Sequence, residues 1–268
     1  MREQKILSDF TQVSLERVIL KQWNTLCLRM AKTPTVKLVE TSSQTIMFTD
    51  TKAPLLNRVI HTKIPEKDID EAITKTIDFF KSRKVSFCWQ VQPNDTPRDL
   101  SDRLKNRGFN IDETPGMAID LRELRTPEAI SGFTVEMVKT QEMLENFSRV
   151  LNHGSELTPE ASHLFHAIHS SIGIVNDYIH YIGYYKGKPV ATSSVQYADG
   201  VAGLYMVSTL PESRRHGFGS LISSTPLIDA RDRGYRIGIL HSSKMGYNIY
   251  LRLGFKEHCT MTGYILEM

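Results

Sequence analysis

The sequence contains little cysteine, no long apolar run and no block of like charge. Three cysteines in 268 residues, Cys27, Cys88 and Cys259, are too few and too scattered for a disulfide framework or a closed zinc site. No stretch approaches the roughly 18 consecutive apolar residues of a membrane span, and no apolar signal-peptide segment follows the first residues. These absences exclude membrane and disulfide-scaffold proteins. They predict a soluble, cytoplasmic chain, although a protein delivered into another cell has the same features.

Charge is nearly balanced. The 33 basic and 30 acidic residues give a net charge of +3, and the basic residues are spread along the whole chain. A nucleic-acid-binding protein more often concentrates its positive charge in a stripe or tail, so neither nucleic acid nor a membrane is an expected partner. With 40% hydrophobic and 24% charged residues, the chain is neither fibrous nor disordered and has room for one large or two smaller domains.

Helical and strand-like periodicities alternate along the chain, which predicts an α+β fold. The predicted helices lie at roughly 8–30, 65–80, 99–107, 140–151, 158–171, 219–233 and 247–253. The predicted strands lie at roughly 37–40, 44–48, 57–61, 85–91, 118–121, 178–185, 189–197, 201–208, 235–241 and 262–266.

A short helix ending at a Gly-Phe corner occurs twice, at Gly108-Phe109 and at Gly254-Phe255. The spacing of 146 residues is close to half the chain plus a linker. Between the two halves, residues 122–132 are charged, contain a proline and have weak periodicity, as a linker does. This pattern predicts two similar α+β domains, residues 1–125 and residues 132–268.

The most informative motif follows the predicted strand 201–208. Gly217 and Gly219 allow the backbone to turn sharply and approach a ligand. The helix that begins there offers unpaired N–H groups and the positive end of its dipole, and the cations Arg214 and Arg215 stand beside it. A diphosphate fits such a site. An ordinary strand-to-helix turn, with its arginines in solvent, is the alternative.

Arg214-x-x-Gly217-x-Gly219 resembles the acyl-CoA pyrophosphate loop of the GNAT superfamily of N-acyltransferases. Further on, the segment from Tyr250 to Phe255 resembles the second signature of that family. Both signatures occur in the right order within residues 132–268. In residues 1–125 the counterpart of the loop, 62–68, contains no glycine. The chain therefore resembles a tandem GNAT protein with one competent cofactor site.

The resemblance implies two GNAT-like domains in α/β/α layers. Each is a mixed, mostly antiparallel twisted sheet flanked by helices, and the central strands of the C-terminal sheet splay apart. It implies acetyl-CoA as the acyl donor, an amine on a small molecule or a peptide as the acceptor, and no metal. It also implies direct attack of the amine in a ternary complex. The cofactor-binding residues that it implies are Val207, Ser208, Thr209, Arg214, Arg215, His216, Gly217, Phe218, Gly219, Ser220, Ser243 and Tyr250.

Tyr250 occupies the family position of the general acid, where it would protonate the departing thiolate. A phenol of reference pKa ~10 carries its proton at neutral pH; the alternative is an aromatic ring that only packs the helix onto the sheet. For the general base, the sequence offers His153, Glu156 and His180 and does not rank them.

Two further features favour structural interpretations. His163, His166 and His169 recur at steps of three, which drift around a helix and so do not converge on one metal ion. Cys259 is expected to be a small buried residue rather than an acylated nucleophile. An acyl-CoA-binding module for protein interaction, without turnover, remains the alternative function.

Overall fold

The computed structural model describes residues 6–52 and 54–268, which form helices and mixed β-sheets as the sequence predicted. The helices are α1 Gln12–Ala31, α2 Ile69–Lys81, α3 Leu100–Asn106, α4 Gln141–Gly154, α5 Pro159–Ile172, α6 Phe218–Asp232 and α7 Tyr247–Leu253. The strands are β1 Lys37–Glu40, β2 Gln44–Phe48, β3 Arg58–Thr62, β4 Phe87–Val91, β5 Asn110–Asp120, β6 Phe133–Met137, β7 Tyr178–Tyr185, β8 Lys188–Ala198, β9 Val201–Thr209, β10 Ile237–His241 and β11 Lys256–Leu266.

The chain divides into two compact units. The large unit comprises residues 6–26 and Pro115–Cys259, and the small unit comprises Cys27–Thr114 and Thr260–Met268. Helix α1 and strands β5 and β11 each pass from one unit to the other. The units therefore do not coincide with residues 1–125 and 132–268, and those sequence domains stay a prediction.

The sheet of the large unit has the strand order β5-β10-β9-β8-β7-β6. Its neighbouring strands are antiparallel except for β9 and β10, which run parallel. The tight turns at Lys186-Gly187 and Asp199-Gly200 have positive φ at both residues, the geometry that matches the twist of a β-hairpin. These signals were readable from the sequence, and the β7–β9 meander lies where it was predicted.

Helices cover both faces of this sheet. On one face, Phe218, Ile222 and Leu227 of α6 are buried with Leu204 of β9 and Leu253 of α7 in the main core. On the other face α4 packs through Leu144, Phe147 and Leu151 against Ile182 of β7. Burial of this apolar area stabilises the unit by about 25 cal/mol per Å². The parallel pair β9/β10 therefore lies within a fixed scaffold.

The first half of α1 packs on the large unit. The Gln196 side chain donates to Gln22 Oε1 at 2.8 Å, and the Lys21 ammonium lies 2.7 Å from the Asp199 carboxylate. The segment before α1 also contacts the β8–β9 turn, because the Leu7 N–H donates to the Gly200 carbonyl at 2.9 Å. Contacts of such long range leave no local pattern, and the sequence did not predict them.

The small unit repeats the architecture with fewer strands. Its sheet has the order β1-β2-β3-β4-β11, with β3 and β4 parallel and the other pairs antiparallel. Its core contains Ile73 and Phe80 of α2 and Trp89 of β4, together with Leu104 and Phe109 around α3. Within residues 6–52 and 54–268, no helix combines the length and apolar character that crossing a bilayer requires.

Candidate active site

Strands β9 and β10 separate part of the way along their length. Residues 202–204 of β9 pair with 238–240 of β10, and beyond Leu204 the described chain shows no further pairing between them. Strand β9 continues to Thr209 with its other edge held by β8. One residue of β8, Ser193, lies opposite two residues of β9, Met206 and Val207, so a β-bulge stands at the point of divergence. Residues 206–209 consequently present backbone groups to a widening gap.

The predicted phosphate loop lies directly beyond this gap. Arg215 and Gly217 both have positive φ, 65° and 83°, and α6 begins at Phe218. The N–H groups of Ser220 and Leu221 donate to the Gly217 carbonyl at 3.1 and 3.4 Å. The N–H groups of Gly217, Phe218 and Gly219 have no acceptor in the described chain. Free N–H groups at a helix start form an anion site.

Phe218 contributes its backbone to this helix start and its side chain to the core. The ring is buried and stacks on Phe133 with a centroid distance of 4.4 Å and an interplanar angle of 5°. His216 covers the outer side of the same ring at 5.6 Å. Aromatic stacking of this kind anchors the first turn of α6.

Arg214 is turned inward, away from the helix start. Its Nη2 donates to the Gly154 carbonyl at 2.9 Å and lies 2.8 Å from Glu156 Oε1, and its Nε donates to the Thr209 carbonyl at 3.3 Å. These bonds join the end of α4 to the end of β9. A side chain on Gly154 would have only 3.0 Å to the Thr209 backbone, so this close approach requires glycine.

Tyr250 is buried against the start of α6. Burial raises the pKa of its phenol to about 12, although a hydrogen bond with Ser223 opposes part of that rise. Its ring packs on Gly246 at the start of α7. Such a group stays protonated at neutral pH, as a proton donor must.

Ser243 stabilises the same helix. Its Oγ accepts a hydrogen bond from the Gly246 N–H at 3.2 Å, which orders the turn that leads into α7. The hydroxyl hydrogen is not used in that bond and can be donated elsewhere.

The three candidate bases have different environments. The carboxylate of Glu156 is paired with Arg214, and His153 is exposed near the end of α4. His180 is buried, and its Nδ1 lies 2.7 Å from Ser194 Oγ. None of these contacts brings the group to the end of β10.

His241, the last residue of β10, is a candidate site residue that was not predicted from the sequence. Its ring lies 5.4 Å from that of Trp23 in α1 and 6.1 Å from that of Tyr205 in β9, centroid to centroid. Tyr205 and His241 each follow the last pair of residues joined between β9 and β10, Leu204 and Leu240, so His241 lies where the two strands diverge. Ligands of open α/β sheets bind at the carboxyl ends of parallel strands. A histidine at the end of a predicted strand was the available signal.

Other candidate groups lie apart from this gap. His169 is buried, with Nδ1 donating to the Phe165 carbonyl at 2.7 Å, and burial lowers its pKa to about 4. Burial raises the pKa of the Cys259 thiol to about 11, which keeps it protonated. The described part of the chain contains no group of three or more potential metal ligands.

The small unit has an equivalent parallel pair, but its gap is closed. Beyond the pairing of β3 with β4, the Thr96 N–H donates to the Thr62 carbonyl at 3.1 Å, and the Ile64 N–H donates to the Thr96 carbonyl at 3.2 Å. Asp95 Oδ1 accepts from the Thr62 N–H at 3.1 Å. The loop then enters a helical turn that carries Glu66 and Asp68, and carboxylates there disfavour a bound anion.

Solved structures share this fold. A GCN5-related N-acetyltransferase from Kribbella flavida superposes with a TM-score of 0.66 at 19% identity, over 92% of this chain and 94% of that one. A tandem GNAT protein from the clavulanic acid biosynthesis pathway superposes with a TM-score of 0.59 at 13% identity, over 99% and 90%. A GCN5-related N-acetyltransferase from Sphaerobacter thermophilus gives 0.64 at 13% identity, over 91% and 85%.

These similarities show that the chain has the GNAT fold. Its division into the two tandem domains that the sequence suggests stays a prediction. No protein-family model matches the chain, and no curated protein matches it either.

Proposed function

We propose that the chain is an N-acetyltransferase that transfers the acetyl group of acetyl-CoA to an amine, with its active site in the large unit. The main observation in support of this proposal is that the edge of β9 that faces the gap continues into the start of α6. The unpaired edge of β9 leads directly into the helix start at Gly217, whose free N–H groups favour an anion. An extended chain that ends in a diphosphate, as acetyl-CoA does, matches both features at once.

The residues present fit that co-substrate. The backbone of Val207 and the N–H of Thr209 can pair with the pantetheine arm as a strand edge pairs with a peptide, whereas Ser208 between them pairs with Thr192 of β8. The N–H groups of Gly217, Phe218 and Gly219 face the pyrophosphate, and the exposed side chains of Arg215 and His216 stand beside them. Ser220 contributes its hydroxyl, because its N–H is taken by the Gly217 carbonyl.

Arg214 has a positioning role in this proposal. Its bonds to Gly154 and Thr209 hold the end of α4 against the end of β9. The guanidinium thereby fixes one wall of the gap. Ser243 acts similarly, because its bond to Gly246 orders the turn that leads into α7, and the Tyr250 ring packs on that glycine.

The chemistry is a direct acyl transfer. The amine nitrogen attacks the acetyl carbon, the C–N bond forms, and the C–S bond breaks. Backbone N–H groups at the bulge polarise the thioester carbonyl as oxyanion donors do. Tyr250 gives its proton to the departing thiolate, and His241 takes the proton that the amine loses. The two groups are complementary, because a phenol with a raised pKa keeps its proton to donate, whereas an imidazole nitrogen without a proton can accept one.

The experiment that tests this proposal is a thiol-release assay on the purified chain. Acetyl-CoA is incubated with a panel of primary amines that includes arylamines, polyamines, amino acids and peptides, and free CoA is measured for each. We expect release that depends on one class of amine and an acetylated product of the matching mass. Tight binding of acetyl-CoA with no amine-dependent release across the panel would instead favour the non-catalytic interaction module.

A further inference from the structure

We propose that a cleft between α4 and α5 of the large unit is a second binding site, which takes a free amino acid through its ammonium and carboxylate groups. The cleft has a volume of about 380 Å³, at the small end of the range for ligand sites, ~300–1,000 Å³. It is lined on α4 by Glu145, Ser148, Arg149 and Asn152, and on α5 by His163 and His166. None of these residues is assigned to acetyl-CoA.

The floor of the cleft carries polar atoms that need a partner. Ser148 is 2% exposed, and its hydroxyl has no hydrogen-bond partner in the described chain. The Asn152 amide donates to the Ser162 carbonyl at 2.9 Å, which fixes its orientation and leaves its Oδ1 buried without a donor. A buried polar group without a partner is costly. Because an amide oxygen only accepts, Asn152 requires a hydrogen-bond donor of the ligand, and an ammonium group is one.

The rim carries one charge of each sign. Glu145 and Arg149 lie one helical turn apart, on the face of α4 that also holds Ser148 and Asn152. Although this spacing suits an ion pair, Glu145 and Arg149 form none with each other or with any other part of the described chain. Both charges are therefore available to a ligand.

The chemistry of these groups defines the ligand class. A carboxylate can bind the Arg149 guanidinium in bidentate fashion, with the imidazoles of His163 and His166 on the opposite wall. An ammonium group can donate to Glu145 and to Asn152 Oδ1, with the Ser148 hydroxyl between the two charged ends. A zwitterion of amino-acid size satisfies both ends, whereas a lone amine or a lone carboxylate satisfies one.

Calorimetric titration of the whole chain with each of the twenty free amino acids tests the proposal, with alkylamines and short carboxylic acids as comparison ligands. Because the charges are at the rim, where exposed pairs contribute little, we expect millimolar dissociation constants. We also expect binding by at least one amino acid to be ten times tighter than binding by its lone-amine and lone-acid analogues, a factor equal to about 1.4 kcal/mol.

Three variants locate the binding. Ser148→Ala should weaken it about three- to tenfold while folding at least as stably as the wild type, since the unpartnered hydroxyl is gone. Glu145→Gln and Arg149→Gln should remove the preference for the zwitterion. Glu142→Gln, an exposed change in the first turn of α4, is the control and should leave binding unchanged.

The proposal is separate from acetyl transfer, so Gly217→Glu should leave amino-acid binding intact. Absence of binding by every amino acid would overturn the proposal. Equal binding by a lone amine would do the same, as would binding that Glu145→Gln and Arg149→Gln leave unchanged.

Discussion

The parallel strand pairs β9/β10 and β3/β4 have the same topology, but the gap beyond the first pair is open and the gap beyond the second is closed. In the large unit, β9 and β10 pair over three residues and then diverge at a bulge. In the small unit, the chain beyond β3 and β4 is held together through the backbone of Thr96 and the carboxylate of Asp95. One pair is open where a ligand could enter, and the other is sealed by its own hydrogen bonds.

The helix starts beyond the two pairs differ in the same sense. Gly217 with positive φ leaves free N–H groups beside basic side chains, whereas the loop at 62–68 has no glycine and brings Glu66 and Asp68 to its helical turn. These differences between the two units show that a shared fold does not by itself determine function. A few backbone hydrogen bonds and the sign of charge at one helix start separate a candidate site from a closed one.

The largest expected effect comes from Tyr250→Phe. If this phenol protonates the thiolate, its loss should lower kcat by about 10²- to 10⁴-fold and leave the affinity for acetyl-CoA within a factor of about two. Steady-state kinetics and a separate binding titration measure the two quantities. Tyr247→Phe is the matched control on the same helix, because in the described chain the Tyr247 hydroxyl donates to the exposed Glu257 carboxylate. Equal kcat in the two variants would remove Tyr250 from the mechanism.

His241→Gln tests whether the residue that ends β10 acts as the general base. The residue that ends β4 in the small unit is Val91, which carries no proton, whereas β10 ends in His241. We expect kcat to fall by about 10²-fold with binding of acetyl-CoA preserved. His180→Gln is the rival variant, and a larger loss of kcat there than at His241 would move the base to His180.

Acid should destabilise the large unit through His169. Burial lowers the folded-state pKa of this imidazole to about 4, whereas in an unfolded chain it is ~6.5. The unfolded state therefore binds the proton first, and stability falls as the pH drops from about 6.5 towards 4. The loss is on the order of 3 kcal/mol.

Melting curves across that pH window test this expectation. His169→Phe, which fits the aromatic surroundings of Phe147 and Phe165, should flatten the pH dependence. His153→Gln, an exposed change on α4, should leave it unchanged. An equal slope in the wild type and in His169→Phe would assign the acid sensitivity to other groups.

Asp95→Ala removes hydrogen bonds that close the gap beyond β3 and β4. The carboxylate accepts from the Thr62 and Gln92 N–H groups at 3.1 and 2.9 Å, and both donors lose that partner. We expect the small unit to lose about 2 kcal/mol of stability, measured by chemical denaturation. Because the loop still lacks a glycine and still carries Glu66 and Asp68 at its helical turn, no second site for acetyl-CoA should appear. Two equivalents of bound acetyl-CoA in this variant would show that the hydrogen bonds alone closed a functional site.

Much of the fold was predictable because its signals are local. The pattern at 37–48 predicted β1 and β2 at their observed bounds, and Thr158-Pro159 predicted the start of α5, where the Thr158 hydroxyl accepts from the Ala161 N–H. Strand β6 was missed. The strands β5 and β11 were predicted too short, because their first halves are largely exposed and polar and give no apolar alternation.

The candidate site was predictable in its loop and not in its surroundings. Gly217 and Tyr250 carry local patterns, and the structure brings both to the start of α6. The inward turn of Arg214 and the position of His241 beside Trp23 depend on residues far away in sequence, so no local pattern encodes them. The closure of the gap in the small unit by Thr96 and Asp95 could not be predicted from the sequence for the same reason.

The most direct test of the account is a thermal melt with and without acetyl-CoA, followed by tryptophan emission. The two tryptophans divide between the units, with Trp23 in the large unit and Trp89 in the small one, so Trp89→Phe and Trp23→Phe backgrounds report each unit separately. Ligand at about 100 times its dissociation constant should add ~2.7 kcal/mol to the unit that binds it.

Gly217→Glu and Gly108→Glu form the matched pair for this measurement. Both glycines have nearly the same positive φ, 83° and 82°, and nothing lies within 4 Å of a side chain added at Gly108. We expect acetyl-CoA to raise only the melting transition that Trp23 reports. Gly217→Glu should abolish this stabilisation, and Gly108→Glu should retain it. A stabilisation seen by Trp89, or one that survives Gly217→Glu, would contradict the assignment of the cofactor site to the open strand pair.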